Sequence, residues 1–290
     1  MMITVFTPTY NRAYSLPRLY DSLKAQTFQD FEWLIVDDGS TDNTESVIAN
    51  WQKEGAVQIN YRKQPNGGKH RAINLGVKLS KDELFFIVDS DDWLPEDSLQ
   101  HINGYFQQIK EDDSFVGVAG FRCFPDGKKI GGEVNYEVLD IDYVSFREKL
   151  GIKGDMAEAW KTSVLRKYPF PEFEGEKFLT EAIVWNKIAR DYRLRYFNNN
   201  IYTCEYLEDG LTCNIRRHHR NSPLGTMLYY TSLMHDKRYG IVRHIKDAIN
   251  YWRYTINYKG ERCNLPLWAW AFVPAGFAVY KLDLRKERKV

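Results

Sequence analysis

The strongest constraint in this chain is an alternation. Short apolar runs alternate with segments of helical spacing, and three of the runs end in polar clusters. Ile3 to Thr7 is such a run, followed by Leu16, Leu19 and Leu23 at helical spacing. Phe31 to Val36 (FEWLIV) ends at Asp37. Asp42 with Glu45 three residues on has the form of a capping box, and Val47, Ile48 and Trp51 give the following helix its apolar face. Val57 to Tyr61 reads as a third strand, Lys69 to Leu79 as a helix, and Leu84 to Val88 (LFFIV) as a buried strand ending at Asp89. Leu99, Ile102, Phe106 and Ile109 mark a further helix. Strands apolar on both faces, separated by helices, specify a parallel sheet covered on both sides. Crossovers in such sheets are right-handed, and ligands bind beyond the carboxyl ends of the strands. The clusters TPTYNR (Thr7 to Arg12), DDGST (Asp37 to Thr41) and DSDD (Asp89 to Asp92) are therefore expected along one edge.

Beyond about residue 115 the alternation fades. Phe115 to Phe121 reads as one more strand, the stretch from Asp126 to Gly154 as loop-rich, and Lys177 to Asp191 as a helix with Phe178, Ala182, Trp185 and Ile188 on one face. From about Ile215 the chain turns basic and then helical. The 290 residues are 43% hydrophobic and 27% charged, the balance of a folded chain. With 40 Lys+Arg against 39 Asp+Glu the net charge is +1, which excludes a dedicated polyanion binder and gives no reason to expect a nucleic-acid partner. Cys123, Cys204, Cys213 and Cys263 form no CxxC pair, so neither a zinc site nor a disulfide framework is expected. There is no secretory pattern and no run of ~20 apolar residues, so the expected location is the cytoplasm.

Each cluster has a chemical and a structural use. Asp89, Asp91 and Asp92 crowd three carboxylates into four residues, which suits Mg2+ or Mn2+ with phosphate oxygens; a solvated loop capping the helix near Pro95 and Glu96 is the alternative. Asp37 and Asp38 with Gly39 and Ser40 can meet a nucleobase or ribose, or simply form a turn. Asn66, Gly67 and Gly68 ahead of Lys69, His70 and Arg71 can present backbone N–H groups to phosphate. The spacing is not that of a Walker A loop, and GxGxxG is absent.

The order TPTYNR, VDDGSTDNT, NGGKHRAINLG, FIVDSDDWL resembles family 2 glycosyltransferases, closely over residues 3 to about 100 and more loosely to about 225. The resemblance implies an α/β GT-A fold, Rossmann-like, with a mostly parallel central sheet flanked by helices and a C-terminal helical extension. It implies a catalytic domain over 1–215, divided into nucleotide-binding (1–100) and acceptor-binding (101–215) halves, and an extension over 216–290. It further implies a UDP-sugar donor held by Thr7, Pro8 and Tyr10 through backbone or stacking and by the Asp38 side chain, with Arg12 and Lys69 also toward the nucleotide. Asp91, then Asp92, would hold Mn2+ or Mg2+, and Asp89 the ribose. Transfer would be inverting, which needs a general base. Glu181 falls where the family places that base, although Ala182 stands where an Asp is usual; Glu176 is the fallback. Gly154, Asp155 and Trp160 would line the acceptor site, with Trp160 as a sugar platform or as core. The run Arg216, Arg217, His218, His219, Arg220 would close over diphosphate or meet a lipid phosphate, or else form a solvated face. The implied activity moves a hexose or N-acetylhexosamine to a glycan or lipid-linked acceptor in surface polysaccharide synthesis. The rivals are a sugar-phosphate nucleotidyltransferase, for which TPTYNR lacks the glycine-rich loop, and a catalytically silent binding subunit.

The C-terminal stretch Leu265 to Leu282 is almost wholly apolar and is followed by a basic tail. Pro266, Pro274 and Gly276 interrupt it, so residues 265–290 are expected to lie on the inner face of a membrane and not to span it. A helix packed on the catalytic domain or in a homodimer interface is the alternative.

Overall fold

The computed structural model describes residues 2–152, 154–205, 214–262 and 264–287. Cys213 and Cys263 lie outside the described residues, while Cys123 and Cys204 are buried and free. In chain order the elements are β1 (Ile3–Thr9), α1 (Leu16–Lys24), β2 (Phe31–Asp37), α2 (Thr44–Glu54), β3 (Ile59–Lys63), α3 (Lys69–Leu79), β4 (Leu84–Ile87) and α4 (Ser98–Gln107). They continue with β5 (Phe115–Cys123), β6 (Val138–Ile141), α5 (Tyr143–Leu150), β7 (Met156–Lys161), α6 (Thr162–Leu165), α7 (Ala182–Ile188) and β8 (Arg193–Thr203). The C-terminal part contains α8 (Ile215–Asn221), α9 (Pro223–His235), α10 (Ile241–Thr255), a 3₁₀ helix (Leu267–Phe272) and α11 (Val273–Glu287).

The strands form one sheet in the order β3-β2-β1-β4-β7-β5-β8-β6. The β3-β2-β1-β4 half is parallel throughout, as its apolar runs require, and the reversals come where β7 enters between β4 and β5. β5 and β8 pair in parallel, and β6 closes the edge antiparallel to β8. The helical spacing of α1 and α2 has a direct packing cause. Tyr20 of α1 and Trp51 of α2 stack at 4.4 Å over the fully buried Trp33 of β2. Burying rings of this size is worth roughly 1.5–3 kcal/mol each, which clamps both helices to one face of the sheet.

The chain falls into two compact units: Met1–Phe170 with Val184–Tyr206, which holds the sheet, and Pro171–Ile183 with Leu207–Val290, whose described elements are helices. Inside the second unit, the Arg253 guanidinium holds Asp283 by two hydrogen bonds of 2.5 and 2.7 Å, and Trp252 donates its indole N–H to the Ala269 carbonyl at 2.8 Å. Those contacts fasten α11 and the 3₁₀ helix to α10.

Several expectations are corrected. The capping box at Asp42 does not form: its carboxylate accepts from Thr44 and from the Ala13 N–H, and Glu45 turns to Lys63 at 2.9 Å. The stretch between residues 126 and 154 contains β6 and α5, with Asp142 capping α5 through the N–H groups of Val144 and Ser145. The helix expected from Lys177 begins only at Ala182, because the Phe178 N–H is held by Ser222 Oγ and Glu176 by the start of α9. Trp160 is 1% exposed and stacks on Trp185 at 4.3 Å, so it is core and not a sugar platform. The basic run is no uniform cationic face either: His219 is buried against Tyr254, and Arg216 approaches Asp283.

Candidate active site

Parallel pairing sets Thr9 beside Asp37 and Ile87 beside Phe6, so the three polar clusters leave the sheet together. At the end of β1, Thr7 is fully buried and its hydroxyl accepts the Trp33 indole N–H at 2.9 Å; Pro8 is buried as well. Their side chains are thus structural, and only their backbone can meet a ligand. Tyr10 is 48% exposed, and the Arg12 guanidinium donates to the Tyr14 hydroxyl and lies 5.5 Å from its ring. Asn11 sits between them at φ 53°, a left-handed conformation that Asn tolerates. Its amide oxygen accepts the Thr41 N–H and its N–H reaches Ser40 Oγ, both at 2.8 Å, which stitches the first cluster to the second.

The two aspartates ending β2 divide the work. Asp37 is fully buried and shapes the turn, accepting from the Ser40 N–H and the Tyr61 hydroxyl, each at 2.7 Å. Asp38 accepts from the N–H groups of Gly67 and Gly68 at 2.8 and 2.7 Å and from the Gln64 amide at 2.7 Å. The glycine N–H groups expected to face a phosphate are therefore turned to Asp38. A carboxylate has about four acceptor positions, so one remains on Asp38. Gly39, at φ 84°, lies so close to this loop that a Cβ would stand 2.9 Å from the Asn66 nitrogen.

After β4 the chain makes the acidic turn. Lys69, at the start of α3, pairs with Asp89 at 2.6 Å. Burial raises the Asp89 pKa, but Lys69, Arg122 and Arg12 outweigh it and hold the carboxyl below its ordinary value. Asp91 is half-buried; burial and then Asp89 raise its pKa. Asp92 is buried, and its Oδ2 accepts from the Tyr202 hydroxyl at 2.7 Å. Burial and Asp89 push its carboxyl up to about 7 against that hydrogen bond and Arg122. The turn thus concentrates more negative charge than its surroundings readily hold, which fits a divalent cation. Hard carboxylate oxygens suit Mg2+ or Mn2+. Of the two expected ligands, Asp91 keeps the more open carboxylate. Among the described residues no three of His, Cys, Asp and Glu form a metal-holding group.

Residues the sequence did not single out hold this turn in place. Tyr202 on β8 is fully buried; its hydroxyl accepts the Asp89 N–H at 2.9 Å while donating to Asp92. Arg122 on β5 lies 4.2 Å from the Tyr202 ring and donates to the Met156 carbonyl. Trp93 and Thr203 exchange backbone hydrogen bonds of 3.0 and 2.8 Å. Arg18 stacks on Trp93 at 3.7 Å and donates to the Asp91 carbonyl at 2.7 Å. Strand β8 follows the acidic turn by more than a hundred residues, so no local pattern marks Tyr202.

Glu181 and Glu176 belong to the second unit. Glu181 immediately precedes α7. Glu176 is buried, and its two oxygens accept the N–H groups of Leu224 and Gly225 at 2.7 and 2.8 Å, at the start of α9. That cap ties Glu176 to the start of α9.

Comparison with known proteins agrees with this arrangement. The model of glycosyl transferase family 2 matches residues 4–160, more than half of the chain. The chain belongs to that family and is a glycosyltransferase. It is 27% identical over 218 residues to Glycosyltransferase GlyG of Streptococcus pneumoniae serotype 4, covering 69% of each chain. It is 27% identical over 197 residues to the GalNAc(5)-diNAcBac-PP-undecaprenol beta-1,3-glucosyltransferase of Campylobacter jejuni, covering 65% of this chain and 60% of that one. Among solved structures, S. aureus TarS 1-349 in complex with UDP-GlcNAc superposes with a TM-score of 0.63 at 16% identity, over 97% of this chain and 80% of that one. The Pyrobaculum calidifontis mannosyltransferase PcManGT, in complex with GDP-Man and Mn2+, gives 0.58 at 17% identity, over 95% and 73%. These neighbours carry the GT-A fold, and the chain shares it.

Proposed function

We propose that this glycosyltransferase moves a hexose or N-acetylhexosamine from a UDP-sugar to a hydroxyl of a growing glycan or lipid-linked saccharide. The observation that carries the reading is the meeting, at one sheet edge, of exposed Tyr10 and near-saturated Asp38 with an acidic turn set among Lys69, Arg12 and Arg122. In this reading Tyr10 stacks on the uracil, and Asp38 accepts its N–H at the remaining acceptor position. Asp89 orients the ribose. Arg12 and Lys69 offset the charge that builds on the leaving diphosphate. Asp91, with Asp92 behind it, would hold Mn2+ or Mg2+, which when bound supplies further charge neutralisation at the diphosphate. Glu181 takes the proton from the attacking hydroxyl, and the transfer inverts the anomeric centre.

The UDP-sugar assignment draws support from TarS, whose solved structures hold UDP and UDP-GlcNAc. The lipid-linked acceptor draws on the Campylobacter relative, whose name specifies an undecaprenol-linked substrate. Residues 1–215 are taken as the catalytic part and 216–290 as the extension, at work on the cytoplasmic face of the membrane. The test is a donor panel. Purified chain with Mn2+ is incubated with UDP-glucose, UDP-galactose, their N-acetyl forms and GDP-mannose. Slow release of UDP from one UDP-sugar is the expected result. Turnover confined to GDP-mannose, or pyrophosphate-dependent release of UTP, would overturn the reading.

A further inference from the structure

Along the 3₁₀ helix and α11 the buried positions recur at seven-residue spacing: Ala269, Gly276 and Asp283. All three face α10. Ala269 accepts the Trp252 indole, a Cβ on Gly276 would stand 2.3 Å from Trp252 Cβ, and Asp283 binds Arg253. The opposite face is open. Leu267 is 88% exposed, Trp270 49% and Phe277 45%, and Pro274, Lys281 and Leu282 continue the exposed stripe. At the start of α10, Ile241 and Val242 are also exposed, and His244 one turn on lies 6.3 Å from the Trp268 ring. A surface helix ordinarily turns its polar side outward. Here small residues and an ion pair face inward, and rings and aliphatic chains face solvent.

We infer that this outer face docks on an anionic lipid surface. The charge pattern chooses that occupant. Lys281 and Arg285 are exposed at the C-terminal end of the stripe, and Asp283, the one acid between residues 264 and 285, is buried. The sequence then runs on through Lys286, Arg288 and Lys289 against a single Glu287. Tryptophan prefers the headgroup boundary, and each cation near an anionic surface is worth about 1 kcal/mol. No helix among the described residues is long and apolar enough to cross a membrane, so the segment lies in the interface plane. The inference stands apart from the donor chemistry proposed above, because none of these residues belongs to the acidic turn or its supports.

Co-sedimentation of the full chain tests it. Vesicles of phosphatidylglycerol with phosphatidylcholine are compared with phosphatidylcholine alone, at low and high salt. The chain should pellet with the anionic vesicles, less so at high salt. Trp270→Glu with Phe277→Glu should stay in the supernatant. Lys281→Glu with Arg285→Glu should weaken binding about thirtyfold or more, as loss of two surface cations implies. All four side chains are exposed, so UDP binding, measured alongside, should match the unmodified chain and certify the fold. Failure of the unmodified chain to pellet with anionic vesicles overturns the inference. Equal pelleting on phosphatidylcholine alone overturns the choice of an anionic surface. A dimer in solution that Trp270→Glu with Phe277→Glu converts to monomer, without vesicle binding, assigns the face to a second copy instead.

Discussion

The carboxylates of the acidic turn share four residues of chain but not one environment. Asp89 is paired with Lys69, Asp91 is half-open, and Asp92 is buried under Tyr202. Asp91→Asn removes the more open of the two carboxylates proposed to hold the ion, so Mn2+-dependent UDP binding should be lost and transfer with it; calorimetry with and without Mn2+ checks this. If Asp91→Asn and Asp92→Asn each kept normal metal dependence, the ion would be held elsewhere. Tyr202→Phe keeps the ring but leaves Asp92 Oδ2 and the Asp89 N–H without a shared partner. Such outer partners of metal ligands are worth about 10–100-fold in affinity, so Mn2+ titration of the UDP complex should weaken by that span. A loss of stability with unchanged Mn2+ affinity would make Tyr202 structural only. Glu181→Gln preserves shape and removes the proton acceptor. It should slow transfer on the order of 10²–10⁴-fold while UDP affinity holds; equal loss of UDP binding would remove it from the role of base.

Helix α8 carries a histidine that sequence reading placed in a cationic run. His219 is buried among Phe178, Tyr230 and Tyr254, with Nδ1 3.0 Å from Thr226 Oγ1. Burial, then His218 and Arg253, push its pKa down to about 4. The ring is therefore neutral in the folded chain and protonates more readily once unfolded. Its contribution is complete above the unfolded pKa of about 6.5 and is lost as pH falls through about 4, a change on the order of 3 kcal/mol. Denaturant midpoints at pH 7 and pH 5 should fall more for the native chain than for His219→Asn. Identical pH slopes in the two proteins would show that this ring does not set the acid response.

For the whole molecule, a ligand that binds only the folded chain raises its melting temperature by mass action, about 2.7 kcal/mol at a hundredfold excess over Kd. UDP with Mn2+ should therefore stabilise the chain more than either alone, and additive or absent shifts would argue against a shared site. The sequence by itself determined the parallel half of the sheet. Strands β1, β2 and β4 are buried almost throughout, whereas the edge strand β3 is half-open, and strands apolar on both faces have one stable use, between two helical layers. It also determined which clusters lie at the sheet edge, because parallel strands align their carboxyl ends. Helix α3 runs from Lys69 to Leu79 as its periodicity predicts. What the tertiary structure alone decided is how each polar group is used. Asp38 meets Gly67 and Gly68, Glu176 caps a helix that begins some fifty residues later, and Trp160 stacks on Trp185. Tyr202 reaches the acidic turn from a strand 110 residues beyond Asp92. Periodicity reports which face of an element is apolar, whereas a hydrogen bond depends on which distant donor the folded chain brings within 3 Å, and no local pattern encodes that.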